Sequence, residues 1–154
     1  MPELHFESHL RTTAADVWST VTMMRGVNAE LMPLFRMTYP YDAETLSIAD
    51  APTGNFLFWS WILAFGFFPI DRHHLRLIEI RAGEGFVEES VSWLQRRWRH
   101  ERSVVEIPGG CVVRDRLTFE PRVRLLAPLV ARIVGVLFRH RHRRLRRRFG
   151  DLAE

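Results

Sequence analysis

The run NFLFWSWILAFGFFPID, from Asn55 to Asp71, carries no charge before its last residue and decides how the fold is to be interpreted. A membrane-spanning helix needs about 20 apolar residues. Gly54 and Pro69 bound this run and leave Phe56–Phe68 as its continuous part. As a helix that part would be roughly 20 Å long, which is too short to cross a bilayer. The run is therefore predicted to belong to a globular fold.

Phe56–Phe65 is predicted to be largely helical, and such a helix would be apolar on every side. One interpretation is an ordinary core helix. The other is the wall or portal of a cavity, in which one face packs on the sheet and the other meets a ligand or, during ligand transfer, a membrane surface. A helix that is apolar all round needs two apolar partners, which favours the cavity. Trp59 and Phe65 are its candidate ligand contacts.

The composition is that of a globular protein of 154 residues, with 47% hydrophobic and 26% charged residues. All 22 basic residues are arginine, which indicates a GC-rich bacterial genome because arginine codons are GC-rich and lysine codons are not. The lone Cys111 excludes an intrachain disulfide and is compatible with a reducing cytoplasm. The opening MPELHFESHL lacks the features of a secretory signal peptide. We therefore expect a cytoplasmic protein, with one domain over residues 1–154.

Charge is distributed unevenly along the chain. Residues 1–120 hold 12 Arg and 16 acidic residues, whereas residues 121–150 hold 10 Arg and no acid. The basic helix end, residues 139–148, is interpreted as a solvated helix end opposing the helix dipole, as a contact with anionic lipid, or as a nucleic-acid surface. Aromatic side chains are not interleaved with these arginines as in an RNA-binding platform. No nucleic-acid partner is expected, and a transient contact with an anionic membrane surface stays open.

Periodicity and turn signals predict the order of the elements. Alternation indicates a first strand, and Thr13 followed by Asp16 has the pattern of a capping box at the start of a helix that Gly26 ends. After the apolar run, short turns separate four strands suited to hairpins. Apolar residues at helical spacing after Pro128 predict a long terminal helix. The predicted strands cover residues 4–10, 35–39, 72–81, 86–94, 97–107 and 111–119, and two later helices cover 27–32 and 127–148.

Five segments carry a resemblance to a known superfamily: TTAADVWSTV at 12–21, GFVEES at 85–90, WRHER at 98–102, VVRDRLTFEP at 112–121 and LFRHRHRRLRRRFG at 137–150. Together with the order of elements, they resemble the helix-grip fold of the START/SRPBCC superfamily, which includes the birch-pollen allergens and polyketide cyclase-like proteins. The resemblance implies an α+β fold in which a curved antiparallel sheet wraps around a long C-terminal helix, with two short helices after the first strand. It also implies a largely apolar cavity whose contents differ between members, and thus binding more than chemistry. The apolar run at 54–69 departs from the superfamily pattern, because many members have further strands there.

Trial hairpin registers bring three charged residues into a row. A two-residue turn at 95–96 would place Glu89 opposite Arg102. A turn at 107–110 would place Arg102 opposite Asp115. The row is interpreted either as an ion triplet that holds the sheet face together or as a ligand site in which Arg102 anchors a carboxylate or carbonyl group.

The hypothesis that follows is a binding or transport protein for a hydrophobic small molecule, such as a lipid, a polyketide or an aromatic compound, with no cofactor and no metal. The alternative is a cyclase- or dehydratase-type enzyme that uses Glu89, His100 or Asp115 for acid–base chemistry in the same cavity. A third class is an adaptor acting through the basic helix end on a membrane surface or nucleic acid. No residue matches a catalytic motif. The candidate ligand contacts are Trp59, Phe65, Glu89, Trp93, Trp98, His100, Arg102, Asp115, Leu117, Phe119 and Phe138.

Overall fold

Seven antiparallel strands form one curved sheet in the computed structural model, which describes residues 2–44 and 47–153. The order across the sheet is β1-β7-β6-β5-β4-β3-β2. In chain order the elements are β1 (Glu3–Leu10), α1 (Ala14–Val21), α2 (Met24–Leu31), β2 (Phe35–Met37), β3 (Phe56–Ala64), β4 (Phe68–Arg81), β5 (Gly85–Ser92), β6 (Gln95–Ile107), β7 (Gly110–Pro121) and α3 (Ala127–Phe149). The α+β architecture expected from the sequence is confirmed, and the two ends of the predicted domain, residues 1 and 154, lie outside the described residues.

The helix start predicted at Thr13 is confirmed. Thr13 is the N-cap of α1, and its hydroxyl accepts a hydrogen bond from the Asp16 amide at 3.2 Å. The helix ends at Val21 and not at Gly26, which lies inside α2. A Cβ atom at Gly26 would come within 1.9 Å of the Thr20 carbonyl oxygen. The glycine therefore permits the close approach of α2 to the end of α1.

The terminal helix α3 is anchored by apolar residues at helical spacing. Val134, Phe138 and Leu145 are buried, and the first two pack against Leu117 and Phe119 of β7. Burying side chains of this size stabilises the fold by about 1.5–3 kcal/mol each. The long C-terminal helix packed against the curved sheet, which the resemblance implies, is confirmed.

The prediction that Phe56–Phe65 is helical is wrong. Phe56–Ala64 is β3, which pairs with β2 on one side and β4 on the other. Tryptophan, phenylalanine and isoleucine favour strands, and a strand that is apolar on both faces lacks the alternation by which strands are recognised. Ile62 lines the interior, whereas Trp59 stacks on His74 and lies under the guanidinium group of Arg72. Within the described part of the chain, no helix is long and apolar enough to cross a membrane.

One of the two predicted hairpin registers is confirmed. Arg102 of β6 lies opposite Asp115 of β7, as predicted. Glu89 of β5 lies opposite Arg99 and not Arg102, because the turn occupies residues 93–94 and not 95–96. An odd shift along a strand exchanges the two faces of the sheet. Glu89 consequently pairs with Arg99 on the outer face, and Glu88 is the acid that points into the interior.

Candidate ligand-binding cavity

A cavity of about 220 Å³ lies between the sheet and the helices α2 and α3. It reaches the surface at Ile70, Leu94 and Ile133, which line it and are 40%, 47% and 46% exposed. Most of its wall is apolar. The apolar wall includes Val21, Met24, Leu31, Leu75, Val134 and Phe138.

Six polar side chains also line the cavity: Asp71 and His73 from β4, Glu88 from β5, Gln95 and His100 from β6, and Arg141 from α3. Strand alternation accounts for Asp71 and His73, because every second residue of a strand points to the same face. Gln95 and His100 share a face because the pairing of β6 with β7 is irregular between Gln95 and Arg97. The Gln95 Oε1 atom is buried and has no hydrogen-bond partner among the described residues. The cavity thus combines an apolar wall with one polar side.

Glu88 is a buried acid in the cavity wall. Its Oε1 atom accepts hydrogen bonds from Ser90 Oγ at 2.7 Å and from His73 Nε2 at 2.6 Å. Its Oε2 atom lies 3.7 Å from His100 Nδ1. Burial alone raises the pKa of a carboxyl group, but the interactions with His100 and His73 outweigh burial and hold the pKa of Glu88 well below its usual value. Glu88 is therefore ionised at neutral pH.

Asp115 accepts four hydrogen bonds, each 2.7 Å long. Oδ1 accepts from His100 Nε2 and Arg102 Nε, and Oδ2 accepts from Arg102 Nη2 and His142 Nε2. Burial raises the pKa of Asp115, but the charges of Arg102 and His100 outweigh burial and hold it well below the usual value. An ionised carboxylate only accepts hydrogen bonds, so both histidines carry a proton on Nε2. The other ring nitrogen of His142 lies 2.7 Å from the Ser8 hydroxyl of β1.

Arg102 is 1% exposed and holds a second carboxylate besides Asp115. Its Nη1 atom donates to Glu30 Oε2 at 3.0 Å, and its Nη2 atom lies 2.9 Å from Glu30 Oε1. Arg141 of α3 donates to the same Oε1 atom at 3.1 Å. Burial lowers the pKa of Arg102, but the carboxylates of Asp115 and Glu30 outweigh burial and raise it above the usual value. Alternating charges therefore join the sheet, α2 and α3.

His100 lies between two carboxylates, those of Asp115 and Glu88. Burial alone lowers the pKa of His100, but the charge and hydrogen bonds of these carboxylates raise it above the usual value. The carboxylates of Glu30, Glu88 and Asp115 face two guanidinium groups, and a positive imidazolium at His100 compensates the third negative charge. A balanced network is the arrangement in which buried charges cost least.

The structure separates the predicted ligand contacts into three groups. Those that line the cavity are Trp98, His100 and Phe138. Those buried in the core beside it are Arg102, Asp115, Leu117 and Phe119. Those outside the cavity are Trp59, Phe65, Glu89 and Trp93.

Two structural features explain why four of the predicted contacts lie outside the cavity. The predicted helix is a strand, so Trp59 lies on the outer face and Phe65 lies in the turn that follows. The register shift in β5 turns Glu89 outward and leaves Trp93 in the β5–β6 turn. Trp93 is 56% exposed there and packs edge-on against Trp61.

Sequence reasoning missed Glu30, His73 and Glu88 as interior groups. Glu30 lies on the buried side of α2 with Met24, Gly26 and Leu31, and an acid on the apolar side of a helix was a usable signal. His73 alternates with Leu75, and this period of two was a usable signal as well. No such signal marked Glu88, because only the strand register determines whether Glu88 or Glu89 faces the interior.

A family model described as a domain of unknown function (DUF8410) matches residues 8–149. The chain belongs to this family. No curated protein matches the chain. The family description names no ligand and no reaction, so the function has to be argued from the cavity.

Solved structures share the fold over nearly the whole chain. Protein CV1439 from Chromobacterium violaceum has a TM-score of 0.73 at 12% identity, covering 97% of this chain and 99% of that one. A START superfamily protein from Mycobacterium smegmatis has a TM-score of 0.66 at 11% identity, covering 96% of each chain. The protein XoxI from Bacillus cereus has a TM-score of 0.68 at 12% identity, covering 100% and 99%. The START/SRPBCC-like fold expected from the sequence is confirmed, and at these identities the likeness concerns the fold alone.

Arg102→Met is expected to lower the free energy of unfolding at neutral pH by about 3–5 kcal/mol, because the substitution removes the cation between two buried carboxylates. At mildly acidic pH an orphaned acid takes up a proton, so the loss relative to the unsubstituted protein should shrink. Denaturant melts at the two pH values measure both effects. Arg99→Met is the matched control, since Arg99 has a 30% exposed side chain and such a pair contributes about 0–1 kcal/mol. Equal losses in the two variants would contradict a buried network.

Stability is expected to decline on both sides of a pH optimum. The folded-state pKa values of Glu88 and Asp115 are depressed, so their stabilisation is present above about pH 4 and is lost as the pH falls through those values. The folded-state pKa of His100 is raised, so its stabilisation is complete below the unfolded-state pKa of about 6.5. This stabilisation is lost as the pH rises from there through the folded-state pKa. Denaturant melts across this range measure the profile.

His100→Gln isolates the alkaline side of this profile. Glutamine retains a donor for Asp115 but does not titrate, so the decline above about pH 6.5 should disappear while the decline at acidic pH remains. A variant with an unchanged alkaline decline would show that another group causes it.

Proposed function

We propose that this protein binds a small hydrophobic molecule in the cavity between its sheet and its terminal helix. The observation that supports the proposal is the cavity itself, which is largely apolar, has a volume of about 220 Å³ and opens to the surface. Close packing leaves few spaces larger than a water molecule in protein interiors. Apolar cavities of this kind bind apolar molecules, and the resemblance to the START/SRPBCC superfamily supports a ligand site between the sheet and the terminal helix.

The volume limits the size of the ligand. An apolar cavity of roughly 150 Å³ holds a benzene molecule. A cavity of about 220 Å³ therefore suits a compound of one or two rings or a short acyl chain, and it is too small for a lipid with two long chains. Among lipids, polyketides and aromatic compounds, small aromatic compounds and short polyketides fit best.

The polar side of the cavity indicates the ligand's functional group. His73, Glu88 and Gln95 stand in the wall, and the Gln95 amide has an unpartnered oxygen. A buried polar group that lacks a partner costs about 1–3 kcal/mol, so a ligand that hydrogen-bonds this amide gains affinity. A ligand carboxylate has no proton to donate to this amide oxygen. A hydroxyl group, as in a phenol, suits this wall better.

Mass spectrometry of the protein purified without detergent tests the proposal directly. We expect one compound of the stated size bound per chain under native conditions. Extraction of that compound under denaturing conditions then identifies it. The absence of any co-purified compound, together with no measurable binding of 2-naphthol, would overturn the proposal.

Val134→Phe is expected to weaken 2-naphthol binding at least tenfold, because the larger ring occupies part of the cavity. The melting temperature should be unchanged or raised, since the added ring fills space in the interior. Calorimetric titration measures the affinity. Val136→Phe is the matched control: Val136 lies two positions further along α3, is 47% exposed and is not part of the cavity wall. Parent-like binding by Val134→Phe would place 2-naphthol elsewhere.

Acid–base chemistry is a second candidate function, favoured by the hydrogen bond between His73 and Glu88 in the cavity wall. A carboxylate that orients a histidine is a recurrent arrangement in general-base catalysis. The test compares the compounds extracted from the unsubstituted protein and from His73→Gln after expression in the same host. A compound of different mass in the variant supports chemistry, and the same compound in both supports binding alone.

A further inference from the structure

The β3–β4 hairpin ends in an exposed apolar tip. Phe65, Phe67 and Phe68 are 67%, 75% and 60% exposed, and Ile70 is 40% exposed. Single exposed apolar residues are ordinary, but a contiguous group of this kind marks an interaction surface. The tip is therefore a candidate contact with something outside the chain.

The backbone at Phe65 strengthens this interpretation. Its φ angle is 56°, in the left-handed region, which costs a residue with a side chain roughly 1–2 kcal/mol and costs glycine nothing comparable. The turn is held by the Phe65 amide, which donates to the Leu34 carbonyl at 2.7 Å, and this bond needs no side chain. A residue with a strained backbone and a mostly exposed ring contributes little to the stability of the fold. A contact between the ring and another molecule explains its presence better.

The tip belongs to a larger apolar surface around the cavity opening. Ile70, Leu94 and Ile133 line the cavity and are also exposed, so the hairpin tip, the β5–β6 turn and the first half of α3 meet there. Two more exposed apolar residues lie at the start of α3: Leu126, its N-cap, is 43% exposed, and Leu129 is 54% exposed. We call this surface the apolar rim, and it consists of residues 65–70, Leu94, Leu126, Leu129 and Ile133.

The charge near the apolar rim is positive. Residues 51–70 carry no charge, and residues 121–133, which lead into the first half of α3, hold Arg122, Arg124 and Arg132 and no acid. Arg36 reaches the hairpin tip, where its Nε atom donates to the Gly66 carbonyl at 3.2 Å. Asp71, the first acid after the tip, is only 7% exposed. An apolar surface with basic neighbours is complementary to an anionic bilayer.

We propose that the apolar rim docks on an anionic lipid bilayer. The phenylalanine rings enter the boundary between head groups and acyl chains, and the neighbouring arginines contact lipid phosphates. In this orientation the cavity opening faces the bilayer, so an apolar molecule passes between membrane and cavity without crossing water. The transfer of an apolar molecule between bilayer and cavity rests on the proposed function, whereas the docking of the apolar rim on the bilayer does not.

The basic helix end is a poorer candidate for this contact than the rim. Arg141 donates to Glu30 in the interior, and Arg146 donates through Nη1 to Ser8 at 3.0 Å. Arg144 donates through Nε to a backbone carbonyl of α2 at 2.9 Å. Arginines that already hold protein partners have fewer N–H groups for phosphates, and the membrane contact expected from the basic run is therefore reassigned to the rim.

Flotation with vesicles measures the docking of the complete protein. One set of vesicles is phosphatidylcholine alone, and the other is equimolar phosphatidylcholine and phosphatidylglycerol. We expect binding to the mixed vesicles that weakens with added salt, because exposed charges are screened, and at least tenfold weaker binding to the neutral vesicles. A parent protein that does not bind the mixed vesicles would overturn the proposal.

Phe65→Gly separates docking from folding. Glycine accepts the left-handed backbone, so the melting temperature should stay the same or rise. Loss of the ring should lower the vesicle-binding constant about tenfold, since burying an aromatic side chain contributes on the order of 1.4 kcal/mol or more. Val105→Ser is the control, because Val105 is 44% exposed near the other end of β6 and should bind vesicles as the parent does. Parent-like binding by Phe65→Gly would refute the assignment.

Two further measurements separate a bilayer from other occupants. A solvent-sensitive dye on Phe67→Cys should brighten on mixed vesicles, whereas the same dye on Val105→Cys should not; the native Cys111 is buried. Sedimentation velocity tests a second copy of the chain as the occupant. A dimer that Phe65→Gly abolishes, with no vesicle binding by either protein, would assign the rim to self-association instead. The 2-naphthol titration, carried out without vesicles, reports on the cavity separately.

Discussion

The Asp115 carboxylate, with the four hydrogen bonds that it accepts, is the interaction on which the interior is built. A buried carboxylate without partners costs several kcal/mol, so its donors have to be in position together. His100 and Arg102 supply three donors from the neighbouring strand, and His142 supplies the fourth from the terminal helix. Arg102 also binds Glu30 of α2. One buried negative charge thus determines how two helices sit on the sheet.

The same network accounts for the place of the cavity. Toward the C-terminal half of α3, Arg141 and His142 fill the space between helix and sheet with hydrogen-bonded side chains. Toward its N-terminal half, apolar residues such as Val130 and Val134 line the cavity, and among the described residues no ion pair joins that half to the sheet. The distance set by long polar side chains at one end is therefore kept at the other, where the cavity lies.

Local signals made much of the fold predictable, and non-local packing made the rest unpredictable. Turn residues and helical spacing identified the hairpins and α3, whereas β3 showed no alternation because both of its faces are apolar. Within the site, a tight turn placed Arg102 against Asp115 correctly. The turn before β6 was predicted at the wrong position, so Glu89 was predicted to face the interior in place of Glu88. An odd error in register turns a strand residue to the opposite face of the sheet. The position of Glu30 on an apolar helix face was a signal of burial, but its partners Arg102 and Arg141 depend on how α2 packs against the sheet and α3.

The bonds of the network also span most of the chain, and this has a consequence for assembly. Glu30 and Arg102 are 72 residues apart, Glu30 and Arg141 are 111 apart, and Ser8 and His142 are 134 apart. Contacts between such distant residues form slowly, since long loops have to close first. While α3 is undocked, water hydrates the carboxylates of the sheet, and docking replaces that hydration with paired charge in one step. The strands are synthesised before α3, so Glu30 and Asp115 obtain the hydrogen bonds of Arg141 and His142 only after that helix has docked.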